Sequence, residues 1–510
     1  MALAVDTLRV VTGCPYVRPG ETVTRSVVGF DRSVPVLLVK IGHYPLHHGA
    51  VHAVRTLGRV GVPVYAITGD HFEPTALSRY LRGHFVWRTT GFEEEGELIH
   101  GLRAVTAQFD RPPIVLATDD EAAVLLAEHS TTGDFVAPRV PSWLPRALAS
   151  KRGLYELCKK VGVSTPDAVF PSSNDEVVAY AERGAFPVVL KNVEPWVRLR
   201  APAVPSTTFV STPEELMLLA QEWPESPSLM FQEYLPRDTA EDWIFHGYFD
   251  AHSTCLTAFT GIKLRSWPPD AGVTVHGRSV SNEHVAELST NFCREIGYQG
   301  IADLDWRFDR RDGRYRLLDF NPRVGAQFHL FRTEAGIDVV RALHLGLTGR
   351  HVPSSRQIEG RGLVVENLYA AAMFSRRRSA EPIALPQKGK TAFAWIALDD
   401  PLPFLAMAIR FTGTAIGRTM RGRRRRPPQG VLPRRLVRSS SASVIRWAAK
   451  GVPQTKRSRG PKVAAADRPV KNSPGADDSN DAESRGEPAT RFSRPTKSGS
   501  RKSFASRFTR

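Results

Sequence analysis

The sequence predicts α/β and α+β architecture: an open parallel α/β domain, then subdomains built on antiparallel strands, then a basic tail. Three observations predict it. Strand-like and helix-like runs alternate over residues 34–140, the pattern of βαβ units. From 141 to 350, helices are interleaved with strand runs joined by short turns, which suits antiparallel pairing. Charge is divided as well: 24 of the 69 Lys+Arg but only 6 of the 52 Asp+Glu lie in 421–510, a net of +18 that leaves the first 420 residues at −1. A near-neutral body therefore carries a strongly basic extension.

Residues 1–33 read as a mixed extension. Val36–Val39 is a buried strand, with Pro35 tolerable at its entry. Ala50–Val60 is a helix and Val62–Ile67 a second strand, with the loop Gly42–Gly49 after the first. Ligands bind such sheets beyond the carboxyl ends of the strands, which puts this loop at the rim of a site. Its His43, His47 and His48 lack a nearby carboxylate or thiolate at ligand spacing, so a substrate-lining or surface role is expected rather than a metal. Pro113–Ala117 is a further strand, and Asp119, Asp120 and Glu121 precede the helix Ala122–His129, where the dipole favours acids without any function.

Within 141–350, a helix runs from 151 to 161 with Gly162 as its stop, and Pro166 opens an extended segment. FPVVLKN (186–192) is an apolar strand ending near Lys191, and Phe209–Val210 is a short one. Thr212 caps a helix over Pro213–Glu222, with Pro at the first helical position. Strands follow at Leu229–Tyr234, Trp243–Phe249 and Thr257–Lys263, then a helix at 283–296. Residues 351–400 read as a folded extension, 401–426 as an amphipathic basic helix, and 427–510 as a disordered basic tail poor in large apolar residues.

The most informative segment is 300–323, GIADLDWRFDRRDGRYRLLDFNPR. Two strand runs flank an Asp-Gly turn, so a hairpin is predicted. Side chains alternate along a strand, so Asp319 and Asn321 point the same way, about 7 Å apart. Asp305 reaches the same spot if the register allows. Two acids and an amide oxygen beside Arg323 suit Mg²⁺ carrying a nucleotide's phosphates, because Mg²⁺ takes one or two carboxylates and completes its octahedron with phosphate and water. A solvated acidic hairpin is the alternative, but Asp319 lies between Leu318 and Phe320, where an unpartnered charge is costly.

LLDFNPRVG (317–325) resembles the (Glu/Asp)-x-Asn-Pro-Arg hairpin of the ATP-grasp superfamily, over roughly 140–350 and more weakly before it. The resemblance implies an ATP-grasp fold with an N-terminal pre-ATP-grasp domain, ATP with Mg²⁺ (or Mn²⁺) as cofactors, and metal ligands Asp305, Asp319 and Asn321. It assigns Arg323 to phosphate or acyl-phosphate, and Lys151 and Lys191 to the nucleotide. Gln232, Glu233, Tyr234 and Leu235 would flank the base, with Glu241 or Asp242 on the ribose. Lys263 and Arg265, two apart on one strand, would approach the phosphates or the substrate carboxylate. One departure is plain: the segment after Lys191, NVEPWVRLRAPAVPSTT, lacks the glycine run many relatives close over the phosphates. Arg198 and Arg200 replace those amides, or the lid is weakened; this disfavours biotin-carboxylase-like chemistry and favours the D-aspartate ligase-like branch of carboxylate–amine ligases. The implied reaction is ATP-driven C–N bond formation between small-molecule or peptide-like acid and amine substrates.

Four cysteines show no paired or zinc spacing, and neither a Ser/His/Asp nor a Cys/His nucleophile pattern stands out. With no signal-like N-terminus and no apolar run of about 18 residues, a cytoplasmic protein is expected. Phe404, Leu405, Ala408, Phe411, Ala415 and Ile416 fall largely on one helical face, interrupted by Arg410 and Arg418 and followed by Arg421–Arg426. That suits a helix on an anionic membrane surface at the inner face; a helix docked on the body ahead of a solvated tail fits equally. A nucleic-acid-binding protein using the tail ranks lower, since stacking aromatics there are few: Trp447, Phe492, Phe504 and Phe508. An ATP-binding protein without turnover is the remaining alternative.

Overall fold

The computed structural model describes residues 28–129, 133–194, 202–204, 207–267, 272–374 and 391–424, all within the unit Met1–Pro427. The expectations for 1–27, for Arg198 and Arg200, and for the tail beyond 424 fall outside the described residues.

A four-stranded sheet comes first, with β1 (Val36–Val39), β2 (Val64–Thr68), β3 (Gly83–Val86) and β4 (Ile114–Ala117) in the order β3-β2-β1-β4, every pair parallel. The VLLV run of β1 is buried on both faces, as a central parallel strand requires. Helix α1 (His48–Gly58) connects β1 to β2 and α2 (Glu95–Thr106) connects β3 to β4, while α3 (Asp120–Glu128) follows β4. Helix α1 starts within the expected loop because His47 caps it: Nδ1 accepts the Ala50 amide at 3.0 Å.

Next come α4 (Trp143–Ala149) and α5 (Lys151–Val161), then a small four-stranded sheet. Its strands are β5 (Ala168–Val169), β6 (Val188–Asn192), β7 (Thr208–Val210) and β8 (Leu229–Glu233), in the antiparallel order β5-β8-β6-β7, backed by α6 (Asn174–Arg183) and α7 (Pro213–Ala220).

A seven-stranded sheet completes the fold. It contains β9 (Ala240–Phe249), β10 (Cys255–Trp267), β11 (Val273–Ser279), β12 (Gly300–Asp309), β13 (Arg314–Asn321), β14 (Gly362–Val364) and β15 (Thr391–Phe393), ordered β13-β12-β9-β10-β11-β14-β15. Only the β14–β15 pair is parallel. Four helices accompany it: α8 (Glu283–Glu295), α9 (Val339–Leu347), α10 (Glu366–Phe374) and α11 (Leu402–Arg424). The β12–β13 hairpin closes at Gly313, whose φ of 70° favours glycine.

The parallel sheet and the large sheet share one core, in which Val51, Val54 and Leu57 of α1 join Val340 and Leu343 of α9. The segment after β15 returns to the first domain. Arg55, fully buried, donates to Asp400 Oδ2 at 2.9 Å and to the Trp395 and Asp400 carbonyls. Asp400 also accepts from the Ser78 hydroxyl at 2.7 Å and the Arg79 amide at 2.9 Å. Removing one partner of a buried, hydrogen-bonded ion pair costs about 3–5 kcal/mol, because it strands the other charge. We therefore expect R55M and D400L each to lose several kcal/mol in urea unfolding, with R55M/D400L losing less than the two singles together. Strictly additive losses would remove this pair from its role as the tie.

Candidate active site

A cleft of about 330 Å³ opens between the small sheet and the large one. Its register follows from the hairpin: Asp305 pairs directly with Asp319, and Asp303 with Asn321. A bulge lies just beyond, since Trp306 pairs with Leu317. Directly opposed residues share a face, so both carboxylates face the cleft, which Asn321 also lines.

Each acid there is held by a cation. Lys151, at the first position of α5, reaches Asp319 Oδ1 at 2.5 Å. Lys263 of β10 lies 2.7 Å from Asp305 Oδ1, and Arg307 donates from Nε to Asp242 at 2.7 Å. Burial drives the Asp305 carboxyl up, aided by Asp303 and Asp319 and opposed by Lys263, leaving it above its ordinary value. Burial also raises Asp319, but Lys151 and Lys191 outweigh that and hold it below the usual range. Lys191 has no ion pair among the described residues, and burial, then the Lys151 charge, push it down to about 8. Gln232, Glu233, Tyr234 and Leu235 complete the wall opposite the hairpin.

Three candidates stand elsewhere. Arg265 was expected beside Lys263, but register shifts on both sides of it break the alternation, so Ser266 lines the cleft while Arg265 pairs in register with His276. Glu241 turns away to Arg310 at 2.6 Å and leaves the cleft to Asp242. Arg323 lies behind the lining, donating from Nη2 to Asn321 Oδ1 at 3.0 Å and from Nε to Asp120 at 2.9 Å.

Sequence reasoning passed over several residues here. Asp120 lines the cleft, while Asp119 caps α3 and accepts the Ile41 and Gly42 amides at 2.9 and 2.7 Å. Asp303, 5% exposed, stands 3.1 Å from the fully buried His246. Its signal was present: in ADLDW it lies two before Asp305 and so shares its face. A Cβ on Gly325 would collide with both the Asp303 carboxylate and the His246 ring, which explains glycine there. Among the described residues no three His, Cys, Asp or Glu side chains form a metal cage on their own.

The His-rich loop does not line this cleft: His43 is exposed at the surface, and His47 and His48 are half-buried. His47 caps α1, His48 meets Trp395 edge-on, and His52 stacks on His329 with centroids 3.6 Å apart. Cys158, Cys255 and Cys293 are buried free thiols.

Sheets, hairpin and cleft together have the architecture of the ATP-grasp fold. The chain is similar to a D-aspartate ligase from Enterococcus faecium (strain Aus0004), with 23% identity over 292 residues, 54% of this chain and 68% of that one. Among solved structures it resembles N5-carboxyaminoimidazole synthetase from Staphylococcus aureus complexed with ADP, with a TM-score of 0.50 at 10% identity, covering 66% of this chain and 83% of that one. No protein-family model matches.

Burial lowers His47 to about 3 and His48 to about 4, and holds His52 and His329 well below their ordinary value. The unfolded chain takes up these protons near pH 6.5 and the folded one does not, so stability is whole above that pH and falls as pH drops toward 4. Urea midpoints should decline between pH 7 and 5, before ordinary carboxylates titrate. A midpoint flat over that interval refutes the neutral assignment.

Proposed function

We propose that this chain is an ATP-dependent ligase that activates a carboxylate as an acyl-phosphate and joins it to an amine. The observation that carries the reading is the Asp305–Asp319 pair, bracketed by Lys263 and Lys151 and facing Lys191 and Gln232–Leu235 in one cleft. Its similarity to a D-aspartate ligase supports amino-acid-like acid and amine substrates. The ADP in the synthetase that shares the fold supports a nucleotide in this cleft.

The donor set fits Mg²⁺: Asp305, Asp319 and Asn321 would hold it, with phosphate oxygens and water completing the shell. When bound, the ion neutralises charge at the β- and γ-phosphates. The chain's own residues do the rest. Lys191 and Lys151 hold phosphate oxygens, and Gln232–Leu235 flank the base, with Asp242 on the ribose. Lys263 holds the incoming carboxylate against the phosphates. Arg323 orients Asn321 and ties the hairpin to Asp120. A substrate carboxylate oxygen attacks the γ-phosphorus, and the bond to the bridging oxygen breaks, releasing ADP. The amine nitrogen then adds to the acyl carbon, phosphate departs with the C–O electrons, and the amine's proton passes to solvent. Positioning and charge stabilisation supply the acceleration.

Hydroxylamine traps an acyl-phosphate whatever the natural amine. With Mg-ATP and pooled amino acids or small acids, the purified chain should yield hydroxamate with particular pools only. D319N should lower that yield at least a hundredfold while the circular dichroism spectrum is retained, and K191M should raise the KM for ATP. Full activity in D319N removes the metal assignment.

A cytoplasmic protein docked on an anionic bilayer is the companion reading, now through a different face of α11. Phe404 and Phe411 pack on the core and Arg410 pairs with Asp70, whereas Leu402, Leu405 and Ile409 are 52, 51 and 73% exposed. The three recur at three- and four-residue spacing on α11, with Leu398, 97% exposed, in the turn before it and Arg421–Arg426 at the far end of the segment. No helix among the described residues is long and apolar enough to cross a membrane. The chain should co-sediment with phosphatidylserine vesicles at low salt, and L405D/I409D should lose most of that binding. Equal sedimentation of the variant would assign any attachment to the basic tail alone.

A further inference from the structure

A second cavity, of about 260 Å³, lies where α1, the Phe328–Leu330 turn and β15 meet, and shares no lining residue with the nucleotide cleft. Arg59, Arg332 and Arg361 line it, against Asp338 and Asp399. Both carboxylates are already engaged. Asp399 accepts two bonds from Arg59 at 2.9 Å and one from the Tyr80 hydroxyl at 2.7 Å. Asp338 caps α9 through the Val340 and Arg341 amides and accepts from the Thr56 hydroxyl at 2.5 Å.

The other two arginines have no such partner. Among the described residues no carboxylate pairs with Arg332 or Arg361, and the Arg361 guanidinium reaches only the His329 carbonyl, at 3.4 Å. Burial, then the Arg332 charge, push Arg361 down to about 10, outweighing the opposing pull of the Asp338 carboxylate. The stacked His52 and His329 beside them are held neutral by burial, so they add no charge to offset. Two half-buried guanidinium groups repelling each other across a cavity are stable only at a cost that an anion removes. A guanidinium fork matches carboxylate and phosphate oxygens in pairs. At about 260 Å³ the cavity lies just below the usual range for ligand sites, roughly 300–1,000 Å³, which suits a small ligand.

We propose that this cavity is an anion site separate from the nucleotide cleft, in which Arg332 and Arg361 hold a small multivalent oxyanion, a phosphate or a dicarboxylate. The assignment does not depend on ligase turnover. Calorimetry on the full chain, titrated with inorganic phosphate or succinate at ionic strength matched with chloride, should show saturable binding of at least one. R332Q and R361Q should each weaken it tenfold or more while the melting transition stays cooperative and MgATP binding is unchanged. Phosphate alone binding identifies a phosphate group as the ligand; succinate alone identifies a dicarboxylate. No saturable binding above the chloride control overturns the proposal. So does binding that K191M abolishes and R332Q leaves intact, since that anion would occupy the nucleotide cleft.

Discussion

Asp305 and Asp319 sit directly opposite each other on β12 and β13, where Cβ atoms lie about 4.5–5.5 Å apart and like charges repel. Partial burial strengthens that repulsion, because the effective dielectric between the strands is far below that of water. The fold therefore has to deliver cations to this spot from elsewhere, and it does so from three separate elements. Lys263 comes from β10 in the same sheet, Lys151 from the start of α5, and Lys191 from β6 in the other sheet. Bringing the small sheet over the large one thus compensates the acids at the same time as it forms the cleft. Lys151 and Lys263 neutralise the two carboxylates directly, and Lys191 adds a third positive charge beside them.

The hairpin was legible because its rules are local. A two-residue period fixes which side chains share a face, an Asp-Gly turn fixes the reversal, and both lie within one stretch of 24 residues. The same reasoning failed at Arg265, two residues beyond Lys263, where bulges on both sides break the period and no sequence signal announces them. It failed again at the acids before α3. The dipole explains acids there in general, but Asp120 is tied to Arg323 across 203 residues, and such a partner has no local signature. Helix α2 and strand β3 went unassigned for a related reason: β3 is only partly buried, so its GHFV run lacks the apolar contrast of β1. The Arg55–Asp400 tie spans 345 residues and was equally invisible, since nothing local marks either residue as the other's partner.

These long-range ties bind the first domain to the chemistry. Asp119 holds the backbone at the end of β1, while its neighbour Asp120 holds Arg323 and through it the Asn321 amide. The loop after β1 and the β12–β13 hairpin are thereby fixed to the same two residues at the start of one helix. Close packing at Gly325 against Asp303 and His246 makes the connection stiff, since any side chain there would push the hairpin acids out of register.

Net charge does not explain the affinity for anions that this arrangement predicts. The first 420 residues are close to neutral, and surface charges further than about 8–10 Å away are screened at physiological salt. What attracts an anion is a cation held where water cannot fully solvate it. Lys191 at about 8 and Arg361 at about 10 are the two clearest cases, in two cavities with no shared residue. In each, burial is the largest cause and a second cation the next, so the charge is disfavoured until an anion arrives. The same chain achieves this twice by opposite means: a lysine at the end of a rigid strand for the nucleotide cleft, and arginines on irregular segments for the smaller cavity. Lysine can shed its proton when the anion leaves, whereas arginine cannot, so the second cavity stays cationic at every physiological pH.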